Sequence, residues 1–205
     1  MAKRVAEVEG AAGQDTRAAG DRIGEVASTE CRNRELRNRH EGRPVEWVRE
    51  VLHEELWSTQ RAILRSVVAN RYTAVKSCHG SGKSHLASRA IAHFLDQHPP
   101  GTAFVVSTAP TWPQVRAVVW RYIGKAHAKG KLAGRVNQTE WHMDPLGTHR
   151  TAPHPTEEIV AYGRKPADTS PEGFQGIHPV RVSCSMLVAA TPVAGAAPVT
   201  RQDGC

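Results

Sequence analysis

Between Pro44 and Lys129 the apolar residues recur at three- and four-residue spacing in four stretches and gather in two short runs. Val45 to Glu54 places Trp47, Val48, Val51 and Leu52 on one face, and Glu55 to Asn70 carries Leu56, Trp57, Ile63, Leu64, Val67 and Val68. Both stretches predict helices, the first opened by Pro44. Ser84 to His98, with Leu86, Ala87, Ala90, Ile91, Phe94 and Leu95, predicts a third amphipathic helix. Gln114 to Lys129 predicts a fourth, with Pro113 near its first turn. The runs Tyr72–Val75 and Thr102–Ser107 suit buried parallel strands, and His98-Pro-Pro-Gly101 is a break. The order strand, loop, helix, strand, loop, helix predicts an α/β fold: an open parallel sheet with flanking helices. Ligands of such sheets bind at the carboxyl ends of the strands, so the loops after the two strands are expected on one edge.

The flanks carry weaker patterns. Residues 1–43 are rich in Ala, Gly, Arg and Glu, with few large apolar groups to offset chain entropy, and are expected to form a charged, largely disordered arm. Its Arg32, Arg34, Arg37, Arg39 and Arg43 are read either as phosphate contacts or as a solvated face shared with Glu35 and Glu41. After Glu140 a strand is expected near Glu157–Tyr162, then a polar loop from Gly163 to Ile177, and Val180–Val188 is apolar enough for a further strand. Thr191 to Cys205 has no periodicity.

Composition narrows the class. A net charge of +7 favours an anionic partner, most often nucleic acid. Cys31, Cys78, Cys184 and Cys205 have no paired spacing, so neither a disulfide framework nor a metal site is implied. His142, His149 and His154 fit no standard zinc spacing. No apolar run reaches membrane-spanning length and the start lacks a signal-peptide core, so a soluble, cytoplasmic protein without a membrane partner is expected.

The most specific stretch is Ser77-Cys78-His79-Gly80-Ser81-Gly82-Lys83-Ser84, between a predicted strand and a predicted helix. Small residues there let backbone N–H groups close around phosphates, Lys83 can reach the β- and γ-phosphates of ATP, and the Ser84 hydroxyl can hold Mg²⁺. Lys83 and Ser84 are thus the candidate catalytic residues. Ser77 stands where this motif has its first glycine, which is less suited to left-handed backbone. Upstream, Gln60 can donate to and accept from an adenine edge, or can be a surface amide on a packing helix.

No acidic residue lies between Asp96 and Glu140, an interval that holds Arg116, Arg121, Lys125, Lys129, Lys131 and Arg135 with Trp112, Trp120 and Tyr122 interleaved. Arg121, Lys125 and Lys129 share a helix face. With Thr108 and Arg116 they are candidates to face DNA; the plainer reading is a solvated face with core aromatics.

Four stretches together, Leu56–Leu64, Ser77–Ser84, Ser107-Thr-Ala-Pro-Thr-Trp-Pro-Gln-Val115 and Phe174-Gln-Gly-Ile-His178, resemble the large terminase subunit of tailed phages. The resemblance covers the N-terminal ATPase part of that family, about residues 44–178. It implies a P-loop NTPase-type fold, Mg²⁺-ATP on the Walker A loop Ser77–Ser84, adenine contact near Gln60, a DNA-facing or coupling role for the Thr108-Ala-Pro loop, and double-stranded DNA, portal and small terminase subunit as partners. It departs where the family places an Asp-Glu pair after a buried strand: here Ala189-Ala-Thr-Pro follows, and no carboxylate occurs between Glu172 and Asp203. Residues 179–205 are therefore expected to be a tail outside the fold, with a frameshift near His178, and the ATPase part to be truncated before its catalytic acids and nuclease domain. The alternatives are an ATPase whose acid is Glu157, Glu158 or Asp168, a basic DNA-binding module with a vestigial loop, and another helicase-like ATPase.

Overall fold

The computed structural model describes residues 28, 34–35, 38–78, 80–99, 102–144, 151–153, 155–165, 184–189 and 199–203. The chain divides into two units, Met1–Arg39 and His40–Cys205. Of the first, residues 28, 34, 35, 38 and 39 are described and are helical, so most of the expected arm, with Arg32 and Arg37, lies outside the described residues.

The second unit is a mixed α/β structure. It comprises α1 (Pro44–Val51), α2 (Ser58–Ala69), β1 (Tyr72–Thr73), α3 (Lys83–Gln97), β2 (Ala103–Thr108), a π-helical segment (Gln114–Trp120) running into α4 (Arg121–Gly130), β3 (Arg135–Val136), β4 (Glu140–Met143), β5 (Glu158–Arg164), β6 (Cys184–Ala189) and β7 (Val199–Asp203). The sheet order is β1-β7-β6-β2-β5-β4-β3.

The expected parallel sheet holds only for its centre, where β2 runs parallel to both β5 and β6. The outer pairs β1–β7, β6–β7, β4–β5 and β3–β4 are antiparallel. Connection length explains two of these pairs: β3 and β4 are joined by residues 137–139 and β6 and β7 by residues 190–198, too few for the crossover that parallel neighbours need. Two antiparallel steps from β6 through β7 restore direction, so β1, β2, β5 and β6 all run the same way. The loops after β1 and β2 consequently leave the same edge of the sheet, as the alternation predicted.

Two further expectations change. The run Tyr72–Val75 is not a buried parallel strand; it contributes only Tyr72 and Thr73, at the sheet edge, with Tyr72 55% exposed. Residues 179–205 are not wholly outside the fold, because backbone pairing brings β6 and β7 into the sheet.

The core grows from β2 and α3. Every residue of β2 is buried, as its central place requires, and this accounts for its unbroken Ala-Phe-Val-Val run. Helix α3 is not half-exposed as its amphipathic pattern suggested. Ser88 to Leu95 are all buried, because α1, α2, α4 and β2 pack around it. Three tryptophans anchor these layers with bonded indoles. Trp47 Nε1 donates to Asp96 Oδ2 at 2.7 Å, Trp120 Nε1 to Ser107 Oγ at 2.9 Å, and Trp141 Nε1 to the Ala133 carbonyl at 2.8 Å.

The π-helical segment has a packing reason. An ordinary helix would turn Val115 and Trp120 to different faces, whereas the wider π turn stacks residues five apart. Both then close over Gly163 of β5. A methyl group on Gly163 would lie 2.5 Å from Val115 Cγ1 and nearer still to Trp120 Nε1. Among the described residues no helix is long and apolar enough to cross a membrane.

This contact makes a test of the fold. Gly163→Ala should lower unfolding free energy by about 1–3 kcal/mol through overpacking, read as a reduced urea midpoint at unchanged slope.

Candidate functional site

Residues 74–82 join β1 to the N-terminus of α3. Gly80 and Gly82 adopt φ of +77° and +80°, left-handed values that glycine reaches without strain. A Cβ at Gly82 would lie 2.8 Å from Gln60 Nε2, the movable end of a flexible side chain, so the left-handed φ rather than space is what favours glycine there. The Gln60 amide, carried by the first turn of α2, therefore lies against the loop. Ser77 is compatible with its place because its φ is not positive, and its Oγ hydrogen-bonds Ser81 Oγ at 2.8 Å. Ser81 Oγ in turn donates to the Cys78 carbonyl at 3.0 Å.

Lys83 is the first residue of α3 and folds back over the loop. Its Nζ donates to the carbonyls of Ser77 and Cys78 at 2.9 and 2.5 Å. Both acceptors are neutral, so the positive charge stays uncompensated by them. Ser84 follows in the same turn, which contains no acidic residue. Free N–H groups at the helix start add a positive field in the same place. Ser77, Cys78, Gly80, Ser81, Gly82, Lys83, Ser84 and Gln60 are thus brought together; His79 lies outside the described residues.

One turn into α3 begins a charge cluster that sequence reading missed. Glu54, in the connection between α1 and α2, accepts from Arg89 Nη2 at 2.7 Å and Nε at 2.9 Å. His85 Nε2 and Lys129 Nζ reach the same carboxylate at 3.4 and 3.3 Å. The Arg89 side chain is only 3% exposed, and its Nη1 also donates to Ser88 Oγ and the Tyr122 carbonyl. Burial pushes the Glu54 carboxyl up, but the hydrogen bonds and charges of Arg89 and Lys129 outweigh it and leave the group below its ordinary value. His85 is pushed down, first by burial and then by the Arg89 charge, against the opposing pull of Glu54.

The basic face is reshaped by the π turn. The Arg121 N–H donates to the Arg116 carbonyl, five residues back, so Arg116 joins the row of Arg121, Lys125 and Lys129. Arg116, Arg121 and Lys125 are exposed, whereas Lys129 is engaged with Glu54. The Arg116 guanidinium lies 5.3 Å from the Trp112 ring centre, and that of Arg121 5.4 Å from the Tyr122 ring centre. Thr108 does not face outward: it ends β2 and is 8% exposed, so Thr111 and Trp112 carry the surface of its loop.

The remaining candidates separate. His142 pairs with Glu140 at 3.1 Å, and no metal-capable cluster of His, Cys, Asp or Glu occurs among the described residues; His149 and His154 lie outside them. Strand β6 sits beside β2 where an acid-bearing strand was sought, but it ends in Ala189. Of the substitute acids, Glu157 is paired with Arg135 at 2.9 Å, Glu158 is exposed in β5, and Asp168 and the Phe174–His178 stretch lie outside the described residues.

Glu54→Ala should cost about 3 kcal/mol, because it strands the buried Arg89 guanidinium. The pH dependence has a definite sign. Both Glu54 and His85 have folded values below their ordinary 4.5 and 6.5, so each contributes stability above those values that is lost on acidification. The melting temperature should begin to fall below pH 6.5 as His85 is forced to protonate, and His85→Gln should remove that first portion while keeping the fall below pH 4.5.

Comparison of the chain with protein-family models, curated proteins and solved structures gave no match.

Proposed function

We propose that this chain is a P-loop-type nucleotide-binding module of the kind found in the ATPase part of large terminase subunits, taking ATP with Mg²⁺ at the loop after β1. One observation carries the reading. The loop brings a cationic Lys83, two left-handed glycines, a helix start without acids and the Gln60 amide into one place. That set matches the parts of a nucleoside triphosphate: phosphates at the loop, a base edge at the amide.

The residues fit the triphosphate better than they fit hydrolysis. Phosphate oxygens would replace the Ser77 and Cys78 carbonyls as acceptors for Lys83, and Ser84 would supply a hydroxyl to Mg²⁺. The metal ion, when bound, neutralises developing charge on the phosphates. A carboxylate to position the attacking water is not supplied by the end of β6. Binding with slow turnover is therefore the expected behaviour, with the basic face as the surface for DNA. The resemblance to terminases also proposes portal and small-subunit partners, to which no contact of the described residues speaks.

Equilibrium binding of a fluorescent ATP analogue with Mg²⁺ tests this directly. Wild-type protein should bind. Lys83→Ala should weaken binding by tenfold or more at an unchanged melting temperature, in the range of about 1.5–3 kcal/mol for a charged hydrogen bond. Gln60→Ala should reduce the preference for ATP over GTP while leaving triphosphate binding. Absence of binding by the folded wild type would end the reading. Rapid hydrolysis abolished by Lys83→Ala would show instead that an acid elsewhere completes the site.

A further inference from the structure

We infer that Trp112, backed by Arg116, is a stacking platform for an unpaired nucleobase, and that Arg121 and Lys125 hold the adjoining phosphates. This deepens the DNA-binding part of the proposed function and rests on it.

The tryptophans separate into two kinds. Trp47, Trp120 and Trp141 are buried, each with its indole N–H bonded. Trp57 and Trp112 are 54% and 44% exposed; Trp112 differs in carrying the Arg116 guanidinium over its ring and in lying in the loop after β2, on the edge that also carries the phosphate loop. A single exposed ring needs no cover of its own; what marks Trp112 is the guanidinium stacked on it and the exposed cations that follow it. The guanidinium of Arg116 lies over one face at 5.3 Å and can cover only that face. It also holds the ring in one orientation and adds positive charge behind it, which suits a flat, electron-rich base.

The π turn is what makes the platform part of a track. It sets Arg116 in line with Arg121, and Lys125 follows one ordinary turn later. All three cations are exposed, and no acid occurs in the sequence between Asp96 and Glu140 to neutralise them. An aromatic ring followed by spaced cations matches a single strand, in which bases and phosphates are reachable together. A duplex offers its phosphates but keeps its bases stacked on each other, so the ring would contribute little to binding one.

Fluorescence anisotropy with the full chain decides the matter. The probes are oligothymidylate and oligouridylate of about 20 nucleotides and a DNA duplex of the same length. Trp112→Ala should weaken oligothymidylate binding by about tenfold or more while changing duplex binding less than about twofold, and Trp112→Phe should recover most of the loss. Lys125→Ala should weaken single strand and duplex alike and reduce the salt dependence of both. An effect on oligouridylate equal to that on oligothymidylate assigns the platform to the unpaired base of either nucleic acid; an effect on oligothymidylate alone assigns it to single-stranded DNA. Equal losses for single strand and duplex on Trp112→Ala, or no loss in either, would overturn the platform while leaving DNA binding in place. If neither nucleic acid binds, the platform and the DNA reading both fall, and nucleotide binding at Lys83 is judged separately.

Discussion

Glu54 is the group on which the arrangement of the helices around the loop after β1 turns. It sits in the connection between two helices and receives Arg89 from α3, His85 from the first turn of the same helix and Lys129 from α4. A carboxylate met by several donors loses much of the penalty of burial, whereas Arg89 without it would be a nearly buried, uncompensated cation. The pairing fixes the α1–α2 connection against α3. It thereby sets where α2 begins, and the beginning of α2 presents Gln60 to Gly82. The Gln60 amide and the loop before α3 are held in register by a charge cluster that belongs to neither. The same carboxylate also pairs with the exposed Lys129, the last cation of the basic row, so the charge that Glu54 does not meet lies toward Trp112.

Strand direction supplies the second constraint. Because β1, β2, β5 and β6 run one way, their carboxyl ends gather on one edge whatever the antiparallel strands do around them. The loop ending at Gly82 follows β1 there and the Trp112 loop follows β2. The proposed nucleotide and nucleic-acid surfaces share one edge as a consequence of topology, before any side chain is considered. The π turn adds the local adjustment. It lets Val115 and Trp120 seal Gly163, and the same widening aligns Arg116 with Arg121 on the outside.

Much of the helical framework is legible in the chain. Spacing alone places α2, α3, β2 and β5 to within a few residues, since each has several apolar positions at one period. The short elements were not legible. Strands β3 and β4 have two and four residues, and Trp141 and Met143 alternate over too short a window to register as a period. The cluster around Glu54 left one readable sign, Arg89 in the middle of an apolar helix, which announces a partner without naming it.

The sequence by itself determined the Ser77–Ser84 motif, the helix behind it, the charge of the segment after β2 and the lack of an acid directly after the Val180–Val188 run. These depend on residue type and near spacing, which the covalent chain carries. Tertiary structure alone decided that Gln60 meets Gly82, that Glu54 binds Arg89, that Thr108 is buried while Trp112 is not, and that the strand before the loop lies at the sheet edge. Each of these pairs groups distant along the chain or ranks two candidates by burial. Both are set by packing and strand order, which no local pattern encodes.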